Sequence, residues 1–146
     1  MTDQCRKFLV FSLNRLRYAV DLSQVAEVGD PPQIWPIPLA PPYYSGAFNF
    51  HGDIVAVINL PLFLGIAGCG QPGKIIVLHH ETVSLAFHVD AIVRIVSEDE
   101  ISVCKPCDAS FAGATLALPD GEATQLDLET LIRAVETGSR ETQYRP

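Results

Sequence analysis

The segment YYSGAFNFHGDIVAVINL, residues 43–60, decides the fold that we expect for this chain. Two apolar arms meet in it at Gly52, and its polar centre contains Asn49, His51 and Asp53. The second arm is apolar on both faces at a period of two residues, so we expect a strand that is covered on both sides. Because glycine tolerates a positive φ, Gly52 predicts a tight, exposed corner between two strands, with His51 at its tip.

The composition indicates a globular protein without a nucleic-acid partner. Of the 146 residues, 48% are hydrophobic and 18% are charged, which excludes a disordered chain. The formal net charge is -7, and no window concentrates Lys and Arg, so a phosphate backbone would be repelled. The longest apolar runs are far shorter than a membrane span, and we expect a cytoplasmic protein with no membrane insertion. Its four cysteines would then stay reduced.

Most of the remaining chain is predicted to form short strands separated by turns. We expect a helical turn that runs into a strand at 22–28, and a short helix at 62–64 with Gly65 as its stop. A final helix should begin at Asp127 or Leu128 and stop at Gly138. Nine or ten strands of this kind favour an all-β barrel or sandwich. The strands are predicted at 8–13, 17–22, 34–37 (an edge strand), 43–60 (a pair), 74–80, 83–89, 91–96, 114–118 and 123–128.

Two further local features bear on the organisation of the chain. The glycine-rich segment 68–73 specifies no packed element, and we expect it to join two lobes. Asp21 and Asp90 each follow an apolar strand, where a carboxylate commonly accepts hydrogen bonds from backbone N–H groups. The residues around these two aspartates are faintly similar to each other, but the similarity alone is too short to establish a repeat.

The order of these segments resembles that of the CheW-like domain, the coupling module of bacterial chemotaxis, over about residues 8–135. Each piece alone is a weak signal, and their conjunction in order is fairly specific. The resemblance is carried by FLVFSL at 8–13, RYAVDLSQVAEV at 17–28, PPYYSGAFNFHGDIVAVINL at 41–60, KIIVLHHETVSLAFHVDAIVRIV at 74–96 and FAGATLALPDGEATQLDLETLI at 111–132.

The resemblance implies an all-β fold with a short C-terminal helix, in which two small five-stranded SH3-like β-barrel lobes pack on a shared apolar core. The domain would span residues 8–137, with loose termini at 1–7 and 139–146. The implied function is that of an adaptor without catalysis or cofactor. One surface would dock on the regulatory domain of a histidine kinase, and another on the cytoplasmic hairpin tip of a methyl-accepting chemoreceptor.

The resemblance also implies a partner-binding site around the corner. Val25, Gly46 and His51 occupy positions that resemble the receptor-facing groove of the family. Phe48 and Gly52 lie beside them in sequence and complete the predicted site.

This sequence departs from the family pattern at the corner itself. His51 stands where the family usually has Arg, Ala56 where it usually has Pro, and Asn59 where it usually has Asp. Arg offers five fixed donors and a permanent charge, whereas a neutral His offers a single donor. The sequence therefore leaves the partner open between a chemoreceptor, a diverged receptor or kinase module, and a signalling partner outside chemotaxis.

Two other classes of function remain as alternatives. Cys104 and Cys107 have the spacing of a thiol or metal pair, but a zinc site uses about four ligands, and the flanking residues are predicted to be loop. A small ligand-binding barrel is disfavoured, because small lobes are filled by their own side chains. The sequence contains no convergent nucleophile and base, so we predict that the protein is not an enzyme.

Overall fold

The computed structural model describes residues 6–66, 73–79, 81, 83–106 and 111–144, with the backbone alone at 103–104 and 138–144. Strands predominate. They are β1 Lys7–Leu13, β2 Leu16–Asp21, β3 Val25–Gly29, β4 Tyr44–Phe50, β5 Asp53–Asn59, β6 Lys74–Leu78, β7 Leu85–Val89, β8 Ala91–Ser97, β9 Val103–Pro106, β10 Ala112–Leu118 and β11 Gly121–Leu126. The helices are α1 Leu60–Leu64 and α2 Leu128–Tyr144, and 3-10 turns cover Leu22–Gln24 and Glu98–Glu100.

The strands form two sheets, which we call lobe A and lobe B. Lobe A has the strand order β8-β1-β2-β11-β10-β9, and lobe B has the order β3-β6-β7-β5-β4. One pair in each sheet is parallel, β2 with β11 and β5 with β7, and the other described pairs are antiparallel. The predicted all-β fold of two lobes is confirmed, with six strands rather than five in the sheet of lobe A.

Buried apolar side chains form three clusters, and the largest belongs to both lobes. Lobe A encloses Phe8, Val10, Ala19, Val96, Ala114, Leu116, Leu118 and Ala123. Lobe B encloses Phe48, Val55, Val57, Ile75, Val77 and Ala86. The shared cluster between them contains Leu9, Phe11, Leu13, Val20, Ile58, Leu60, Ile76, Leu78, Leu85, Phe87, Val89, Leu126, Leu128, Leu131 and Val135.

β1 contributes side chains to two of these clusters. Successive side chains of a strand point to opposite faces. Phe8 and Val10 therefore enter the core of lobe A, while Leu9 and Phe11 enter the shared core. Because burial of each such side chain contributes about 1.5–3 kcal/mol, a strand that is apolar on both faces binds the lobes together.

The chain consists of two halves, and each half contributes strands to both lobes. The first half places β1 and β2 in lobe A and β3, β4 and β5 in lobe B, while the second half places β6 and β7 in lobe B and β8 to β11 in lobe A. The chain crosses after Asp21 and again after Asp90. The Asp21 carboxylate accepts a hydrogen bond from the Ser23 N–H at 3.0 Å, and the Asp90 carboxylate accepts one from the Asn14 N–H. The predicted interactions of both aspartates are confirmed, and the faint sequence similarity marks equivalent crossings.

The prediction that segment 68–73 joins the lobes is wrong. β5 precedes this segment and β7 follows it, yet the two strands pair within lobe B, with Ile58 opposite Phe87. The lobes are instead connected where the chain crosses after β2 and β7. A glycine cluster indicates a break between elements, but it carries no information about the sheet that the next strand joins.

The prediction of a loop around Cys104 is also wrong. β9 is an edge strand that pairs with β10, and Cys104 lies opposite Leu116. Pro106 is compatible with an edge, where a missing N–H leaves no partner unsatisfied. Cys107 lies outside the described residues.

The termini contain more regular structure than predicted. α2 begins at Leu128 as expected but continues through Gly138 to Tyr144, because a single glycine costs a helix only about 1 kcal/mol relative to alanine. At the other end β1 begins at Lys7, and Arg6 forms an ion pair with Asp21 at 2.9 Å. Residues 1–5 and 145–146 lie outside the described residues.

The short helix α1 follows β5 directly. The Asn59 side chain accepts a hydrogen bond from the Leu62 N–H at 3.2 Å, and Gly65 ends the helix in the left-handed conformation with φ 75°. The predicted glycine stop is thus confirmed. Within the described residues, neither α1 nor α2 combines the length and the apolarity that a membrane-spanning helix requires.

Candidate functional site

β4 and β5 meet in a two-residue turn at His51 and Gly52. Phe50 pairs with Asp53 across the turn, and φ is 53° at His51 and 92° at Gly52. Positive φ at both central positions is typical of the type I′ turn, whose twist matches that of the flanking strands. The Asn49 side-chain oxygen accepts the Gly52 N–H at 2.9 Å. The predicted tight corner is therefore confirmed.

His51 reaches across the corner towards β3. Its ring lies 4.3 Å from the ring of Phe50, and its Nε2 lies 3.8 Å from a carboxylate oxygen of Glu27. That separation is too long for a hydrogen bond, and the side chains of His51 and Glu27 are 76% and 56% exposed. The contact becomes an ion pair only when His51 is protonated, and solvent screens it.

A groove of about 260 Å³ opens beside the corner. Val55 and Leu78 are buried, whereas Ala26, His51 and Asp53 are exposed, so the groove has an apolar floor and a polar rim. Such a concavity suits the side chains of a docking protein. It is lined by Ala26, Phe50, His51, Asp53, Val55, Leu78 and Ser84.

Gly46 allows the segment that follows β3 to lie against β4. The N–H and carbonyl of Trp35 both bond to the backbone of Ala47, each at 2.8 Å. A Cβ at Gly46 would lie 2.3 Å from the Trp35 carbonyl oxygen and 2.5 Å from Cγ2 of Ile34, and the φ of Gly46 is 146°. Gly46 therefore lies behind the corner as a point of close backbone contact.

The edge strand predicted at 34–37 is reduced to this single bridge between Trp35 and Ala47. Beyond Trp35 the chain enters a turn at Pro38 and Leu39, in which the Ile37 carbonyl accepts the Ala40 N–H at 3.4 Å, so the pairing with β4 does not continue.

The structure divides the five predicted site residues into two groups. His51 and Gly52 lie at the exposed corner, while Phe48 is only 6% exposed and belongs to the core of lobe B. Val25 begins β3 opposite Leu78, and its half-buried side chain packs against the shared core. Gly46 and Phe48 thus support the corner from within, and direct partner contact by any of the five stays a prediction.

Sequence reasoning missed the residues that other strands bring to the corner. Glu27 on β3 and Ser84 before β7 are distant from His51 in sequence. The pairing of β7 with β5 brings Ser84 near, and Glu27 comes near because β3 approaches the corner from the opposite end of the sheet order. Asp53 was noted only as part of the polar centre, yet it lines the groove. The one signal in the sequence that could have indicated a role for Glu27 is that it is a charged residue within the otherwise apolar β3.

A second described histidine, His88, has a structural environment. Its Nε2 accepts a hydrogen bond from the Gly73 N–H at 3.2 Å. Burial lowers the pKa of His88, while the negative charge of Asp90 opposes that shift. Within the described residues, no three His, Cys, Asp or Glu side chains are grouped to hold a metal ion.

Comparison with known protein families identifies the family of this chain. The family described as CheW, CheW-like domain, matches residues 7–136. The chain belongs to the CheW-like domain family. This match agrees with the resemblance that the sequence motifs indicated over residues 8–135.

Two curated relatives of this CheW-like chain are chemotaxis proteins CheW. That of Treponema pallidum (strain Nichols) is 27% identical over 112 residues, which cover 73% of this chain and 66% of the relative. That of Thermotoga maritima is 27% identical over 113 residues, which cover 74% of this chain and 75% of the relative. The chain therefore spans about two thirds to three quarters of the length of these relatives.

The fold is also similar to a solved scaffolding protein, TtCheW from Thermoanaerobacter tengcongensis. The TM-score is 0.74 at 26% sequence identity, and the alignment covers 84% of this chain and 89% of that chain. The two-lobed architecture of this CheW-like chain is therefore similar to that of a solved scaffolding protein.

Proposed function

We propose that this CheW-like protein is a non-catalytic cytoplasmic adaptor that couples the cytoplasmic tip of a chemoreceptor to the regulatory domain of a histidine kinase. The observation that carries the proposal is the family match over residues 7–136, together with the similarity to a scaffolding protein. The working part of an adaptor is its exterior, and the exposed corner at His51 offers such a surface beside an apolar groove.

The arrangement of the corner suits docking better than chemistry. His51 is separated from Glu27 by 3.8 Å and is largely open to solvent, so among the described residues it has no positioned acid or base partner of the kind that general acid–base catalysis requires. An apolar floor with a polar rim resembles the anatomy of a protein interface, in which a few central residues provide most of the binding energy.

A bridging experiment tests the proposal. Immobilised chemoreceptor tip is mixed with the kinase regulatory domain, in the presence and absence of the purified protein. We expect the regulatory domain to be retained only when the protein is present, because each partner occupies a different surface. Retention that does not depend on the protein, or binding to neither partner, would refute the adaptor function.

His51→Arg examines the corner within the same experiment. Arg adds a permanent charge and five donors, so we expect stronger retention of a tip whose facing residues are acidic, weaker retention of a tip whose facing residues are basic, and unchanged binding of the kinase domain. Unchanged affinity for the tip in a calorimetric titration would place the receptor contact away from the corner. Arg133→Gln on α2 is a suitable control, since its partner Glu129 lies on the same helix.

A further inference from the structure

The rim of the corner groove carries an excess of negative charge. Glu27 lies 3.8 Å from His51, and Asp53 lines the groove beside the same histidine. No Lys or Arg of the described chain is among the residues that line this groove. Two carboxylates thus accompany one imidazole, and at least one negative charge is uncompensated even when His51 is protonated.

The closest cation on the paired strand is already neutralised. Lys74 lies at the start of β6, and its ammonium group contacts the carboxylate of Asp30. The register of β3 with β6 places Gly29 opposite Ile75 and Glu27 opposite Val77. Lys74 is therefore held at the far end of β3, and no Lys or Arg of the described chain forms an ion pair with Glu27.

The groove favours a helix over an added strand. β3 is an edge strand of lobe B, but its register shifts between Val25 and Glu27, and such a bulge discourages edge-to-edge pairing. An amphipathic helix instead places its apolar side chains on a groove floor and its charged side chains at the rim. The buried Val55 and Leu78 supply that floor.

We propose that the corner groove receives a basic amphipathic helix, which presents a lysine or arginine to Glu27 and Asp53. The inference rests on the proposed function, in which the partner is a helical receptor tip, and adds the sign of the charge that the tip carries. The carboxylates beside His51 set the electrostatic preference of the site, because opposite charges steer and select partners.

Two synthetic helical hairpins test this specificity. They share the same apolar positions and carry either lysine or glutamate at every flanking position, and each is titrated into the full-length protein by calorimetry at low salt. We expect the lysine hairpin to bind about tenfold more tightly than the glutamate hairpin, with the difference shrinking as salt is added. Equal affinities, or tighter binding of the glutamate hairpin, would overturn the inference.

Variants that remove negative charges distinguish binding at the groove from a general effect of the net charge of -7 on affinity. Asp53→Asn should weaken the lysine hairpin about threefold, and Asp53→Asn combined with Glu27→Gln about tenfold. Glu122→Gln is the matched control, because Glu122 is exposed on lobe A near the corner between β10 and β11. An equal loss of affinity in Glu122→Gln and Asp53→Asn would show a general charge effect and would refute the site.

The bridging experiment distinguishes this inference from the adaptor function. If the protein bridges receptor and kinase but Asp53→Asn does not change its affinity for the receptor tip, the function stands and the basic-helix inference fails. If the lysine hairpin binds the groove with the expected variant effects but no bridging occurs, the inference stands and the adaptor function fails.

Discussion

Gly46→Ala should destabilise the protein strongly, for a reason that is visible in the backbone. The added Cβ would lie 2.3 Å from the Trp35 carbonyl oxygen, 2.5 Å from Ile34 Cγ2 and 3.0 Å from the Trp35 carbonyl carbon. Two of these three atoms belong to the backbone, so a rotamer change cannot relieve the clash. Either β4 or the segment that contains Trp35 must move.

The expected magnitude follows from two contributions. A non-glycine residue at the φ of 146° found for Gly46 introduces backbone strain of about 1–3 kcal/mol. Displacement of Trp35 breaks its two hydrogen bonds to Ala47, each with a net value of about 0.5–1.5 kcal/mol. The free energy of unfolding should therefore fall by roughly 2–6 kcal/mol, a large part of the roughly 5–15 kcal/mol that is typical of a domain.

Two further glycines provide matched controls. Gly52 has a φ of 92°, but a Cβ there would meet nothing within 4 Å, so Gly52→Ala should cost only the strain, about 1 kcal/mol. Gly29 has neither a positive φ nor a neighbour within 4 Å, and Gly29→Ala should change stability by no more than about 0.5 kcal/mol. Comparison of the three variants thus separates the cost in stability of the steric clash, the cost of the backbone strain, and the small effect of adding a methyl group.

Urea titration followed by far-ultraviolet circular dichroism measures these differences. Trp35 is the one tryptophan of the chain, so its fluorescence reports on the displaced segment independently. A change of fluorescence without a loss of stability would indicate local detachment of the segment. An unfolding midpoint of Gly46→Ala that equals that of Gly29→Ala would refute the close contact between Gly46 and Trp35.

Three other predictions concern turns and titrating groups. Leu39 is 90% exposed at a φ of 63°, so Leu39→Asn should raise the free energy of unfolding by about 0.5–1 kcal/mol in a urea titration. Because burial lowers the pKa of His88 and its neutral Nε2 accepts the Gly73 N–H, the unfolded chain binds the proton more readily. Stability should therefore fall as the pH decreases through the unfolded-state value of 6.5, and His88→Gln should flatten this dependence. The hydrogen bond from Arg94 lowers the pKa of Asp120, and carboxyl NMR should detect a higher pKa for Asp120 in Arg94→Gln.

The local part of the fold could be predicted because it depends on neighbouring residues. The apolar faces of β1, the glycine at position 52 and the glycine at position 65 act within a few residues, and the structure contains the corresponding strand, turn and helix stop. The assignment of strands to lobes depends on pairings such as β1 with β8 and β3 with β6. No local pattern specifies these partners, so the joint between the lobes was misplaced.

The candidate site also combines features that local sequence predicts with features that depend on the tertiary fold. The positive φ of the corner follows from local sequence, whereas the contact between His51 and Glu27 requires β3 and β4, at opposite ends of the sheet order of lobe B, to approach each other. Gly46 was predicted as a partner contact from the resemblance to the family, and Phe48 because it lies near His51 in sequence. Alternation along β4 buries both, which sequence proximity alone could not distinguish from exposure.

The equivalence of the two halves supplies an internal reference for the corner. The turn between β10 and β11 in lobe A corresponds to the turn between β4 and β5 in lobe B. In lobe A, Arg17 and Arg94 both contact the Asp120 carboxylate at 3.2 Å, and Arg94 also contacts Glu100 at 3.0 Å, so the carboxylate of Asp120 at that turn is compensated within the chain. In lobe B, the described contact between charged groups at the turn is the 3.8 Å approach of His51 to Glu27. Of these two equivalent corners, the first holds Asp120 between two arginines, whereas no Lys or Arg of the described chain lines the groove of the second. This difference is expected if a partner supplies the cation at the second corner.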